Sequence, residues 1–258
     1  FFSYFAGKTP FAAINLIMPY LMLTSVLGFM VGTGGTALIS MTLGMGDKKK
    51  ANEIFSLLTW VCIIGGIVLT ALSMVFMRPV AILLGATGQM LEDCVTYGMI
   101  VQVALTAYIL QYAFQSFCVA AEKPTLSLVM TVASGVCNMV LDALFVAVFR
   151  WGLEGAAWAT TIAQIVGAMI PLAYFSRPNS SLLQLGKCRF DGKALLRTCT
   201  NGASELLSNL SMSLTSMLYN LQLLRYAGEN GIAAYGVIMY VNLFFLAIFI
   251  GFVIGAAP

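Results

Sequence analysis

No histidine occurs among the 258 residues. Its absence removes the side chain that most often serves as general base near neutral pH and as metal ligand. Charge is scarce as well: 9% of residues are Asp, Glu, Lys or Arg, against about 25% in soluble domains. A net charge of +3 is small and scattered, and the aromatic residues sit in apolar runs rather than between Lys and Arg, so nucleic acid is not indicated. Six cysteines stand at 62, 94, 118, 137, 188 and 199, no two closer than eleven residues. That spacing excludes CxxC chemistry and zinc-ribbon ligation. Five of the six lie in or beside apolar runs, where a free thiol behaves as a small hydrophobe. A membrane-embedded enzyme would need histidine, clustered carboxylates or a nucleophile with its base, and the sequence supplies none of these.

What the chain has is apolar length: 60% of its residues are hydrophobic. A bilayer core needs about 20 apolar residues of helix, and such runs recur at 10–43, 53–77, 94–121, 125–149, 155–175, 194–224 and 231–258. A shorter piece, 80–88, reads as interfacial, and Phe1–Ala6 as the tail of an earlier helix. Backbone polar groups in lipid must be satisfied within the segment, which these runs can do only as helices. The expectation is an all-α polytopic membrane protein with about seven transmembrane helices. The sequence begins at Phe1 and ends at Pro258, both inside apolar runs and without a signal-peptide pattern, so a piece of a longer polypeptide is expected.

Basic residues orient the segments. Lys48, Lys49, Lys50, Lys123, Arg177, Lys187, Arg189, Lys193 and Arg197 fall on one side, and Lys8, Arg78, Arg150 and Arg225 on the other. The richer side is expected to be cytoplasmic. This also accounts for "GFMVGTGGTALISMTLGMGDKKKANEIF" from Gly28, which superficially suggests a phosphate loop. Neither GxxxxGK[ST] nor GxGxxG is present and no strand precedes it. The lysines pin a helix end, and the glycines permit a close neighbour or a bend.

The fragment also repeats itself. "AGKTPFAAINLIMPY" (6–20) matches "AGENGIAAYGVIMYV" (227–241) at Gly7, Ala12, Ala13 and Met18 with a shift of 221, and "GFMVG" (28–32) matches "GFVIG" (251–255) with a shift of 223. Six segments separate the copies, so both cross in the same direction, as in parallel-repeat transporters. The expected division is one lobe over 1–176, a cytoplasmic linker over 177–193, and the start of a second lobe over 194–258.

Two carboxylates fall inside apolar runs. A charge at the centre of a membrane helix costs at least ~2.5 kcal/mol, so such residues usually face a cavity or a partner. Asn138 and Asp142 are four apart and share a helix face. An amide oxygen beside a carboxylate suits a hard cation such as sodium, and a desolvated carboxylate can instead carry a proton. A local capping role for Asp142 is the competing reading. Glu205, with Asn201 and Ser204, could line a cavity or sit near the inner interface. Gln164, Asn209, Asn220 and Asn242 are intramembrane amides that could be ligands or helix–helix hydrogen bonds. Tyr108, Tyr112, Met217 and Tyr219 are candidates to line a substrate pocket, since Met-rich and aromatic surfaces repack readily.

Several motifs together resemble the multidrug and toxic compound extrusion (MATE) family, closest to its bacterial drug-efflux branch. The resemblance lies in "GTGGTALISMTLGMGDKKKANEIF", "NMVLDALF" (138–145), "WGLEGAAWATTIAQ" (151–164), "NGASELL" (201–207), "AAYGVIMY" and "GFVIGAAP", and covers essentially the whole chain. It implies a two-lobed helix bundle and a secondary antiporter. Such a protein exports organic cations and drugs in exchange for H+ or Na+, with no other cofactor, as a monomer in the plasma membrane. On that map most of helix one would precede Phe1, including the position of an Asp that many prokaryotic members contribute to the cation site. The resemblance singles out Asn138 and Asp142 together with a threonine in the next helix, which Thr160 matches. A lipid-linked oligosaccharide flippase of the same superfamily is the alternative, and would call for a more cationic cavity.

Overall fold

The computed structural model describes residues 7–186 and 188–256, apart from the side chains of 247 and 250–256. The elements are helices: α1 Lys8–Thr24, α2 Val26–Gly44, α3 Lys48–Leu83, α4 Gly88–Gln102, α5 Leu105–Ala120, α6 Pro124–Asp142, a π-helical turn Ala143–Val148, α7 Gly152–Ser176 and α8 Gly192–Ala256. By length and composition five stretches can cross a bilayer, counting α1–α2 as one; α4 and α5, bent by 56°, form a sixth together.

The last stretch counts twice. Gly228 adopts φ 62°, ψ −160° inside α8, and the rings of Tyr219 and Tyr235 meet at 4.7 Å between centroids. Sixteen residues of straight helix would separate them by roughly 24 Å. The chain therefore reverses at Gly228, and its two arms, 192–227 and 229–256, lie against each other. Gly7 and Gly228, the first matched pair of the sequence repeat, both have positive φ, a backbone state open to glycine at little cost.

One expectation fails. Residues 80–88 are not a separate interfacial piece, because α3 runs through Pro79 to Leu83. At 36 residues it spans roughly 54 Å, so the lysine triplet and Arg78 both ride on one long helix that overshoots the hydrocarbon. Proline at 79 is tolerated because neighbouring groups can satisfy the carbonyl it frees.

Two apolar clusters hold the bundle. The first joins α2, α3, α5 and α7 around Phe55, Phe114, Phe117 and Phe175. Phe55 meets Phe117 edge-on at 5.5 Å and Phe175 at 5.1 Å, geometries that aromatic quadrupoles favour. The second joins α1, the end of α3 and α4, with Ala157 of α7 and Ile232 of α8. Segment 177–191 is tied to this body. Leu183 is buried in the first cluster, Gln184 N–H donates to Asn52 Oδ1 at 2.9 Å and Gly186 N–H to Ser56 Oγ at 3.0 Å.

Glycines set the closest helix approach. A Cβ at Gly34 would strike the Thr198 carbonyl, and one at Gly202 the Met30 carbonyl. Towards the other end, the Asn220 amide donates to Asn15 O at 3.0 Å. As the index falls along α2 and α1 it rises along the first arm of α8, so the two run antiparallel over most of their length. Gly236 packs directly on the Asn15 side chain. These are equivalent positions of the repeat, and a residue that meets its own mate marks a pseudo-two-fold axis.

Candidate functional site

Asn138 and Asp142 lie at the end of α6, where the helix widens into the π turn. Pro124 starts α6 at its first turn, a position that suits its missing N–H. Ser134 Oγ donates to Ala163 O of α7 at 2.8 Å, and α7 is tied to α4 by Thr161 Oγ donating to Ile100 O at 3.1 Å. These bonds fix three helices around one point. Isolated π turns inside α-helices recur at functional sites, and here the turn begins one residue after Asp142.

The Asn138 amide approaches the Thr160 hydroxyl at 3.5 Å, and Thr160 donates back to Ala156 O at 3.0 Å. Tyr97 of α4, 4% exposed, lines the same small cavity as Thr160. Asp142 Oδ1 is buried and has no hydrogen-bond partner, as is true of Gln164 Oε1. The local-capping reading of Asp142 therefore finds no bond at that oxygen. An orphaned buried acceptor in a membrane segment costs several kcal/mol unless something satisfies it.

That small cavity, of about 90 Å³, is lined in part by Thr160 together with Met22, Tyr97, Gln102, Tyr108 and Gln164, whereas Asn138 and Asp142 are not part of its lining. Three waters of liquid occupy roughly that volume. Drug-sized ligands need roughly 300 Å³ or more, so the space suits a hydrated ion or proton-carrying waters. Among the described residues no three His, Cys, Asp or Glu side chains converge for a metal ion. One carboxylate with an amide and hydroxyls is a set for a proton or a weakly held monovalent cation.

The remaining sequence candidates disperse. Tyr108 lines the small cavity and donates to the Tyr112 hydroxyl at 3.2 Å, and Tyr112 packs on Phe29 at 4.1 Å between centroids. Neither lines a drug-sized pocket. Glu205 accepts from the Asn209 amide on its own helix at 3.0 Å. Asn201 and Ser204 are exposed, and none of the three lines the small cavity. Met217 packs against the second apolar cluster, and Tyr219 is half exposed against Tyr235. Near them an open groove of about 590 Å³ runs along α8, lined by Leu207, Ser208, Ser211, Met212, Thr215 and Ser216. Sequence reading missed Tyr97 and Gln102.

A bundle of membrane-length helices crossing beside its own repeat axis, with a buried, unpartnered carboxylate oxygen in one of them, defines a polytopic membrane protein with a buried polar site. The family profile of MatE matches residues 1–144, and the chain belongs to that family. It is 27% identical over 259 residues to the multidrug export protein MepA of Staphylococcus saprophyticus, covering 100% of this chain and 57% of that protein. The MepA of Staphylococcus aureus strain MRSA252 is 26% identical over 260 residues, with the same coverage. Among solved structures, the MATE multidrug transporter DinF-BH superposes with a TM-score of 0.88 at 24% identity, over 94% of this chain and 55% of that one. An inward-facing multidrug resistance MATE transporter of the MOP superfamily gives 0.84 at 21%, over 88% and 52%. The chain spans just over half the length of these relatives.

Proposed function

We propose that the full protein is a secondary antiporter of the plasma membrane that exports organic cations in exchange for H+ or Na+, with Asp142, Asn138 and Thr160 carrying the coupling ion. The buried, unpartnered Asp142 oxygen at the end of a membrane-length helix carries this reading, and the multidrug export proteins it resembles support it. Residues up to 176 form the first lobe, 177–193 the cytoplasmic link, and α8 opens the second lobe. Ion and drug bind different sites and favour different lobe arrangements, and exchange needs only that difference in affinity. One charge crossing 100 mV supplies about 2.3 kcal/mol. The drug path is expected between the lobes rather than in the small cavity, and the open hydroxyl-rich groove along 207–216 on α8 is a candidate wall for it. The flippase alternative draws no support from that groove or the small cavity, neither of which has Lys or Arg in its lining.

The test is efflux of a fluorescent organic cation from cells expressing the full-length gene, with the proton and sodium gradients collapsed in turn. Asp142→Asn is expected to abolish gradient-driven efflux at unchanged membrane abundance. Efflux at the parental rate by that variant would remove Asp142 from the mechanism.

A further inference from the structure

A charged cavity lies away from Asp142, at the lysine-rich ends of the helices. It measures about 540 Å³ and is lined by Asp47, Lys49, Lys50, Glu53, Arg189 and Phe190, together with Asp191. Two helix N-termini converge there. Asp47 caps α3, its Oδ1 accepting from Lys50 N–H at 3.0 Å. Asp191 caps α8, accepting from Lys193 N–H at 2.9 Å and Ala194 N–H at 3.1 Å. The Ala194 bond leads in holding the Asp191 carboxyl below its ordinary value, with the Lys193 bond and the charges of Lys50 and Lys193 assisting.

Two of the three carboxylates are thus engaged by backbone N–H groups. Among the described residues the one direct ion pair is Arg78–Glu92, elsewhere in the chain, so Lys49, Lys50 and Arg189 are not neutralised by contact pairs. Formal charges in the lining balance, with Asp47, Glu53 and Asp191 against Lys49, Lys50 and Arg189, and the two helix N-termini, at roughly half a positive charge each, leave the cavity with about one net positive charge. Phe190 is 79% exposed beside them, an apolar ring at the level where helices leave the bilayer. The charge bias puts this end at the cytoplasmic leaflet, and basic pockets at that level bind lipid headgroups.

We infer that this cavity is a binding site for an anionic glycerophospholipid of the cytoplasmic leaflet. Lys49, Lys50 and Arg189 hold the phosphodiester, Glu53 accepts from headgroup hydroxyls, and Phe190 lies along the acyl chains. Because Arg189 and Phe190 belong to the segment between α7 and α8 while Lys49 and Lys50 belong to α3, a bound lipid clips that segment to the bundle. The inference stands independently of the transport reading.

The experiment uses the full-length protein in nanodiscs containing phosphatidylglycerol, phosphatidylethanolamine or phosphatidylcholine, with retained lipids counted by native mass spectrometry. Phosphatidylglycerol is expected to be retained preferentially. Lys50→Gln with Arg189→Gln should weaken that retention roughly thirtyfold, from the worth of two basic side chains near a membrane surface. Lys123→Gln, on the same side but outside the cavity, should leave it unchanged, which separates a built site from general surface attraction. Equal retention of the three lipids, or equal loss in the Lys123 variant, overturns the inference. Displacement by millimolar glycerol 3-phosphate overturns it too, since a soluble phosphate would then be the occupant.

Discussion

Tyr97 and phenylalanine differ by one hydroxyl, which makes Tyr97→Phe a sharp probe of the Asp142 site. The ring stays in its buried seat, and only the hydroxyl is lost from the cavity that Tyr97 shares with Thr160. A hydrogen bond is worth about 0.5–1.5 kcal/mol net, so the ion concentration for half-maximal efflux should rise about three- to tenfold at unchanged thermal stability. Thr160→Ala should do the same, and the double variant should be little worse than either alone, because coupled residues do not add. A fully additive double variant would separate the two roles. At this scale the sequence is partly legible. Four-residue spacing puts Asn138 and Asp142 on one face, and Thr160 is reached through family resemblance. Tyr97 is hidden because the break at 103–104 resets the helical phase between Tyr97 and Tyr108, so periodicity read across 94–121 cannot put both on one cavity. The π turn after Asp142 has no compositional signature in "DALFVAV", and Glu205 spends its contact on Asn209, a pairing that apolar context does not reveal.

Helix contacts follow from residues too small to notice individually. Gly34 and Gly202 bring α2 and the first arm of α8 to backbone contact, and neither leaves room for a methyl group. Gly202→Val must push the helices apart or strain both, and overpacking of this kind costs about 1–3 kcal/mol or more. Thermal unfolding in detergent should register it as a lowered Tm, whereas Gly135→Ala, with nothing within 4 Å, should be neutral or slightly stabilising. The segment after α7 is held differently. Ser56→Ala removes the acceptor for Gly186 N–H, so amide exchange at 184–186 should quicken while the buried helices keep their protection. Apolar run length finds most of these elements, and the reversal at Gly228 follows the polar break "RYAGENG". It fails at 80–88, because a proline followed by an apolar stretch reads as punctuation, and only packing shows that α3 continues to Leu83. The docking of 177–191 is invisible for a related reason: one buried leucine and two backbone bonds carry it, within a stretch whose composition is that of a loop.

At the scale of the whole molecule, the sequence repeat becomes geometry where Asn15 meets Gly236. Two bundles that rock about an axis must change their separation at one end of the membrane while staying joined at the other. Here they touch near both ends, at Asn15 with Asn220 and Gly236, and at Gly34 with Gly202. At least one of these crossings has to part in each transport cycle if the antiport proposal holds. The Gly34–Gly202 crossing admits no side chain, but the other already seats the Asn15 side chain against Gly236, within the reach that a disulfide requires. In a full-length variant with exposed Cys188 replaced, Asn15→Cys with Gly236→Cys should cross-link under mild oxidation. Efflux should stop on cross-linking and return on reduction, while either single variant transports under both conditions. Reversible arrest would show that the repeat mates separate during export. Unimpaired efflux by a fully cross-linked sample would mean that this crossing is a fixed pivot, and the separation would then have to occur at Gly34 and Gly202, where the closest backbone contact between the two helices lies.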